Sequence, residues 1–198
     1  INSVHTSILS RAIETTKIIA DIVKFSYADI QYDWRLNERH YGALQGLNKS
    51  ETASKYGEKQ VQIWRRSYNT APPLLRSDDK RHPKFNPKFK KIKGPLPAGE
   101  SLENVVKRLR PFWDNYFIKI KENSGNHIIV AHSNSLRAIV KILDRMSDKE
   151  IVSINIPTGV PLVYSFDDSF NIVDKKYLIG REELKKKQEV IANQGKAK

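Results

Sequence analysis

The chain has 198 residues, 39% of them hydrophobic and 29% charged, and a net charge of +13 from 35 Lys+Arg against 22 Asp+Glu. That length fits one domain, 1–198, with a core of its own. The lack of cysteine excludes a disulfide scaffold, a thiolate zinc site and a cysteine nucleophile. No apolar run approaches the roughly 20 residues of a membrane span, and INSVHTSILSRAIETT holds no apolar signal core, so a cytoplasmic protein is expected.

The chain opens in Ser3–His5 as the end of a strand, with Thr6 and Ser7 as helix cap candidates. Leu9, Ala12, Ile13, Thr16, Ala20 and Val23 then fall on one helical face. A start inside a strand–turn–helix unit, without an initiator Met, leads us to expect a sequence lacking an N-terminal segment. A short strand fits within Tyr27–Trp34, and Asn37–Lys49 reads as a loop. One helix is expected over Ser50–Ser67, ended by Ala71-Pro72-Pro73. The stretch Arg76–Lys93 holds eight basic residues against Asp78 and Asp79 and has no apolar period, which predicts a solvated surface loop.

Ser101 caps the clearest helix, where Leu102, Val105, Val106, Leu109, Trp113, Tyr116, Phe117 and Ile120 keep 3–4 spacing and Pro111 predicts a bend. Ile128-Ile129-Val130-Ala131 suits a buried parallel strand. Ser133–Ser135 turns it into a helix with Leu136, Ile139, Val140 and Leu143 inward. A helical turn at Asp148–Val152, strands at Pro161–Phe166 and Asn171–Tyr177, and a charged helix at Glu182–Ala192 complete the pattern. Gln194–Lys198 is expected to fray, so residues 181–198 read as a charged helix and tail. Alternation of strands and helices gives an α/β class with a mostly parallel sheet flanked by helices.

In such sheets ligands sit beyond the carboxyl ends of the strands, where free helix N–H groups favour phosphate. Arg11 follows the first strand, and His132, Ser133 and Asn134 follow the apolar one. Glu38-Arg39-His40-Tyr41 adds an acid, a guanidinium, an imidazole and a phenol, and Lys49, Arg65 and Arg66 add further charge. A cationic cradle with one acid/base group is what phosphoryl transfer requires. No Gly-rich phosphate loop and no metal-binding carboxylate pair is present. From the residues alone the expectation stops at a phosphate-ester site whose nucleophile is unidentified.

Arg35–Pro73 (RLNERHYGALQGLNKSETASKYGEKQVQIWRRSYNTAPP), His127–Asp144 (HIIVAHSNSLRAIVKILD) and Asn155–Tyr164 (NIPTGVPLVY) resemble the cofactor-dependent phosphoglycerate mutases of the histidine phosphatase superfamily. The ending QGKAK is similar to animal members. The resemblance implies interconversion of 3- and 2-phosphoglycerate in glycolysis through a phosphohistidine, primed by 2,3-bisphosphoglycerate and without metal. It implies Glu38 as proton donor and acceptor and His132 as the imidazole that stabilises the transferring phosphoryl group. It also implies Arg11 as a phosphate ligand, with Arg39, His40, Tyr41, Lys49, Arg65, Arg66, Ser133 and Asn134 around the substrate. The partners implied are a small anionic phosphoglycerate and a second copy of the chain in a homodimer, with no nucleic acid and no membrane.

Two departures from the pattern stand out. The family's Arg-His-Gly-Glu motif, which carries the nucleophilic histidine, does not occur here. The chain as written is therefore expected to be inactive. The absent strand would be central to the sheet. His5 stands where the family usually has an aromatic residue and receives no catalytic role. Ser133 replaces the family's Gly, at about a kcal/mol or more if the backbone there needs positive φ; otherwise its hydroxyl is free to donate to phosphate. The alternatives are a catalytically inactive anion-binding or interaction module, and bisphosphoglycerate synthase or phosphatase chemistry.

Overall fold

A computed structural model describes residues 1–193, apart from the side chains of residues 49–51, 192 and 193. The frayed tail expected at Gln194–Lys198 lies outside the described residues. The chain gathers into two compact units, Ile1–Val152 and Ser153–Lys198.

The first unit is built on a short parallel sheet. Strand β1 (Ser3–Thr6) lies between β2 (Gln31–Tyr32) and β3 (His127–Val130). Along β1 the side chains alternate: Val4 and Thr6 are fully buried, whereas Ser3 and His5 are half-buried on the other face. Val4 packs with Ala20 of helix α1 (Ser10–Val23) and with Ile30. His5 meets the edges of Phe112 and Tyr116 of helix α4 (Leu102–Glu122), with ring centroids 5.7 and 4.8 Å away. Helices thus cover both faces, as the α/β reading expected, and the His5 ring fills an aromatic slot.

Helix α4 begins in a full capping box. The Ser101 hydroxyl accepts from the Asn104 amide, and the Asn104 side-chain oxygen accepts from the Ser101 amide. The helix continues through Pro111. Helix α5 (Ser133–Leu143) follows β3, and the six-residue α6 (Asp148–Ser153) follows α5.

Three expectations change. Helix α1 starts at Ser10 with no side-chain cap. The hydroxyls of the expected caps are used elsewhere, Thr6 donating to the Val130 carbonyl and Ser7 pairing with His132. The helix expected over Ser50–Ser67 is two, α2 (Lys49–Tyr56) and α3 (Glu58–Arg66), because Gly57 between them takes φ +80°. The basic stretch is not merely a solvated loop. Its two Pro-Lys-Phe repeats form 3₁₀ turns, capped by His82 and Asn86, that bury Pro83 and Phe89.

In the second unit, β4 (Leu162–Phe166) and β5 (Ile172–Tyr177) form an antiparallel hairpin, followed by α7 (Arg181–Asn193). The Asp167 carboxylate accepts from the Asn171 amide and closes the turn.

Burial, followed by repulsion from Lys119, holds the His5 imidazole down at about 4. An ordinary histidine of the unfolded chain titrates near 6.5. The unfolded chain therefore binds more protons between these values, and stability falls as pH drops from 6.5 towards 4. His132, held equally low, acts in the same direction. In denaturant titrations at pH 7 and pH 5, His5→Phe should lose less stability on acidification than the native chain. Equal losses would show that His5 is not one of the responsible groups.

Candidate active site

Strand register brings the distant segments together. Thr6 is opposite Val130 on one side and Tyr32 on the other, and all three strands run parallel. The residues that follow each strand, Ser7, His132 and the segment 33–41, must then emerge at the same edge of the sheet. Two hydrogen bonds fix the junction: the Asp33 amide donates to the Thr6 carbonyl (2.9 Å) and the Ile8 amide to Asn37 Oδ1 (3.1 Å).

The segment 34–40 has little regular structure, so its backbone groups need other partners. A buried ion pair supplies them. Arg108 of α4 donates to Glu100 through Nε (2.6 Å) and NH2 (3.0 Å), with side chains only 7% and 4% exposed. Arg108 also donates to the carbonyls of Trp34, Arg35 and Asn37, and Glu100 accepts from the His40 amide. The turn that follows depends on Gly42, at φ +56°. A Cβ there would collide with the Pro73 carbonyl oxygen.

At one end of the site, both nitrogens of His132 are engaged. Arg11 Nε donates to Nδ1 (3.2 Å), so Nδ1 is the acceptor; Nε2 then carries the proton and donates to Ser7 Oγ (2.8 Å). The Ser7–His132 pair therefore has the wrong polarity for a serine nucleophile, whose hydroxyl must donate to its base. Burial, and then the positive charge of Arg11 and Arg108, keep the His132 imidazole at about 4, so it is neutral near pH 7.

At the other end, Glu38 Oε1 accepts from the Arg39 amide (2.7 Å) and from Asn134 Nδ2 (2.8 Å). The same amide nitrogen lies 3.3 Å from the Tyr41 hydroxyl oxygen. Arg11, Glu38, Arg39, His40, Tyr41 and Arg65 line one cavity of about 540 Å³. Arg39, 3% exposed, donates to the carbonyls of Trp64 and Arg65 and stacks on Tyr41, leaving Nε buried without a partner among the described residues. His40 Nδ1 accepts from the Gly42 amide, and burial lowers the pKa of its imidazole. Arg66 is half-buried, its pKa lowered by burial and then by Arg65. The side chain of Lys49 lies outside the described residues. No group of three or more His, Asp or Glu among the described residues could hold a metal ion.

Sequence reasoning missed Ser7 as a histidine partner, and it missed Glu100, Arg108, Arg137 and the basic loop as parts of the site. Arg81 of that loop donates to the carbonyls of Ala43 and Gln45 and pairs with Asp79 (2.7 Å). Arg81, Pro83, Asn86 and Phe89 form one wall of the cavity, and Lys88 Nζ reaches Ser10 Oγ (2.5 Å). The doubled Pro-Lys-Phe motif was the one available sign of order there.

The family model of the histidine phosphatase superfamily (branch 1) matches residues 1–79 and 75–175. The chain belongs to this superfamily. It is 46% identical over all of its 198 residues to a 2,3-bisphosphoglycerate-dependent phosphoglycerate mutase of Parabacteroides distasonis, and covers 80% of that protein. Similar folds include the mycobacterial glucosyl-3-phosphoglycerate phosphatase, with TM-score 0.61 and 18% identity over 89% of this chain and 76% of that one. The alpha-ribazole phosphatase of Shigella flexneri gives TM-score 0.60 and 14% identity over 87% and 71%.

In this member of the superfamily, Ser133 is the first residue of α5, and its φ is not positive. The strain that would have penalised a serine at the family's glycine position is therefore absent.

Neutralising the buried ion pair with Glu100→Gln should cost about 3–5 kcal/mol, since it leaves the Arg108 charge uncompensated. Gly42→Ala should cost about 1–3 kcal/mol from backbone strain, plus the collision with Pro73. Urea unfolding of both variants checks these values.

Proposed function

We propose that this site serves the interconversion of 3- and 2-phosphoglycerate, with 2,3-bisphosphoglycerate as the priming phosphoryl donor, in a cytoplasmic, homodimeric enzyme of glycolysis. The observation that carries the reading is a carboxylate, Glu38, set by two donors and in no ion pair among the described residues, in a cavity whose other lining carboxylate, Glu100, is held by Arg108 and whose remaining charged walls are cationic. Similarity to the mutase of Parabacteroides distasonis over the whole chain supports the same reading.

The residues fit a small polyanion. Arg11 at one side of the cavity and Arg65 at another offer guanidinium groups to phosphate and carboxylate oxygens. Arg66 and Lys49 add positive charge by their place in the sequence. When bound, 2,3-bisphosphoglycerate would supply the priming phosphoryl group to the histidine of the Arg-His-Gly-Glu motif, which these 198 residues lack. Glu38 exchanges a proton with the substrate hydroxyl as phosphate leaves or arrives. Arg11 stabilises the charge spread over the phosphoryl oxygens, and the His132 N–H joins it by exchanging Ser7 Oγ for a phosphoryl oxygen.

None of the five histidines is assigned as the phosphoryl acceptor. His132 is engaged at both nitrogens, and His5 is packed against α4. His40 and His82 accept backbone amides, and His127 pairs with Ser3 and the Asn123 carbonyl. The same fact favours a second reading, an anion-binding module without turnover.

Calorimetry with 3-phosphoglycerate, beside a coupled mutase assay, tests both. We expect these 198 residues to bind without turnover, and Arg11→Gln to bind at least tenfold more weakly, about 1.4 kcal/mol. Unchanged affinity in that variant would remove Arg11 from the site, and no binding by the native chain would overturn the proposal.

A bound dianion opposes the charge effect that lowers the His132 pKa, so binding should raise it. Protons are then taken up between about pH 4 and the raised value. The binding enthalpy should accordingly differ between buffers of different ionisation enthalpy, and His132→Gln should reduce the difference.

A further inference from the structure

Arg137 is a buried cation for which the mechanism above has no use. It is 5% exposed and forms no ion pair among the described residues. Its NH2 donates to the Ile151 carbonyl (2.6 Å), with the Val152 carbonyl at 3.4 Å, at the end of α6. Its NH1 donates to Asn134 Oδ1 (3.2 Å), and its Nε has no partner among the described residues. Burial, then repulsion from Arg39 and Arg66, lowers its pKa to about 10 against the opposite pull of Glu38 and Tyr41. A charge kept under such conditions is expensive and needs a reason.

The contacts supply one. Asn134 and Arg137 stand three residues apart on α5, one above the other on the same face. An Asn side chain has a donor end and an acceptor end of nearly the same shape, and its orientation follows from its partners. A guanidinium only donates, so Arg137 holds Oδ1 of Asn134. Nδ2 must then face away, where it donates to Glu38 Oε1 and lies beside the Tyr41 hydroxyl. Were the amide reversed, its oxygen would face the carboxylate and repel it. The planar fork is anchored at the other end by α6, so the orientation is tied to a second helix and not to one flexible side chain.

We infer that Arg137 is a positioning residue for the proton-exchanging carboxylate, acting through Asn134 by fixing which end of that amide faces Glu38. The substrate part of this inference rests on the proposed role of Glu38 in phosphoglycerate binding; the amide orientation does not.

The test is a double-mutant cycle on the full chain with two readouts. The first is hydrogen exchange of the Asn134 Nδ2 protons in ¹⁵N–¹H correlation spectra, and the second is the dissociation constant for 3-phosphoglycerate. Arg137→Gln should speed exchange of these protons at least tenfold and weaken binding about fivefold. In an Asn134→Ala background it should change binding less than twofold, because the shared partner is gone. Arg137→Lys keeps the charge but has no fork to hold both Asn134 and α6. It should therefore resemble Arg137→Gln in the exchange readout, and it serves if Arg137→Gln does not fold.

Unchanged exchange in the folded Arg137 variants would overturn the inference. So would equal weakening of binding by Arg137→Gln in the native and Asn134→Ala backgrounds. Rescue by Arg137→Lys would show that charge alone is used, and would overturn it too. If the native chain does not bind 3-phosphoglycerate, the functional proposal fails, while the exchange readout still decides the orientation.

Discussion

The site depends on the ion pair between Glu100 and Arg108. Segment 34–40 carries the acid, yet it is neither helix nor strand for most of its length. Backbone carbonyls in such a segment must find donors or remain in water. Arg108 reaches three of them from one guanidinium, and Glu100 holds the His40 amide from the other side. An aliphatic pair of the same volume would pack as well, or better, by desolvation alone. It would remove the Arg108 donor from the Arg35 and Asn37 carbonyls and the Glu100 acceptor from the His40 amide, while the Trp34 carbonyl would keep the Asn37 amide. The pair is thus better understood as the framework of the loop than as a source of net stability.

Around this frame the charge is deliberately unbalanced. Arg11, Arg39, Arg65, Arg81 and Arg108 line the cavity against Glu38 and Glu100, and Arg66 and Arg137 add repulsion close to Arg39. The lowered pKa values of Arg66 and Arg137 and the neutral His132 are consequences of this crowding and of burial. Much of the repulsion is managed by hydrogen bonds to carbonyls. Arg39 holds the end of α3, Arg137 the end of α6 and Arg108 the segment 34–40. Helix ends are suitable partners, because their last carbonyls carry partial negative charge. Cations so held are already ordered, which would lower the cost of binding the anion proposed above.

The basic stretch shows how one segment can be both soluble and structural. Lysines project from it, while Pro83 and Phe89 are buried and Arg81 fastens it to the Ala43 and Gln45 carbonyls. The two 3₁₀ turns need little beyond proline's fixed φ and a side-chain acceptor at each cap. Charge density concealed this order, because eight basic residues outweigh two prolines and two phenylalanines in any compositional reading.

The sequence by itself determined most of the local elements and the residue types of the candidate site. Ser101 with Asn104 set the start of α4, apolar spacing set its buried face, and the short run at 128–131 set β3. Glu-Arg-His-Tyr at 38–41 and the His-Ser-Asn junction at 132–134 marked the residues of the candidate site, because each of those signals lies within a few residues. Only the tertiary structure decided the partners. Ser7 and His132 are 125 residues apart, Arg108 and Arg35 are 73 apart, and Arg39 and Arg65 are 26 apart. A side chain's hydrogen-bond capacity is written in its chemistry, but the group that uses it depends on the register of β1 with β3 and on where the helices pack. That is why Ser7 reads as a helix cap in the sequence and becomes the partner of His132 in the fold.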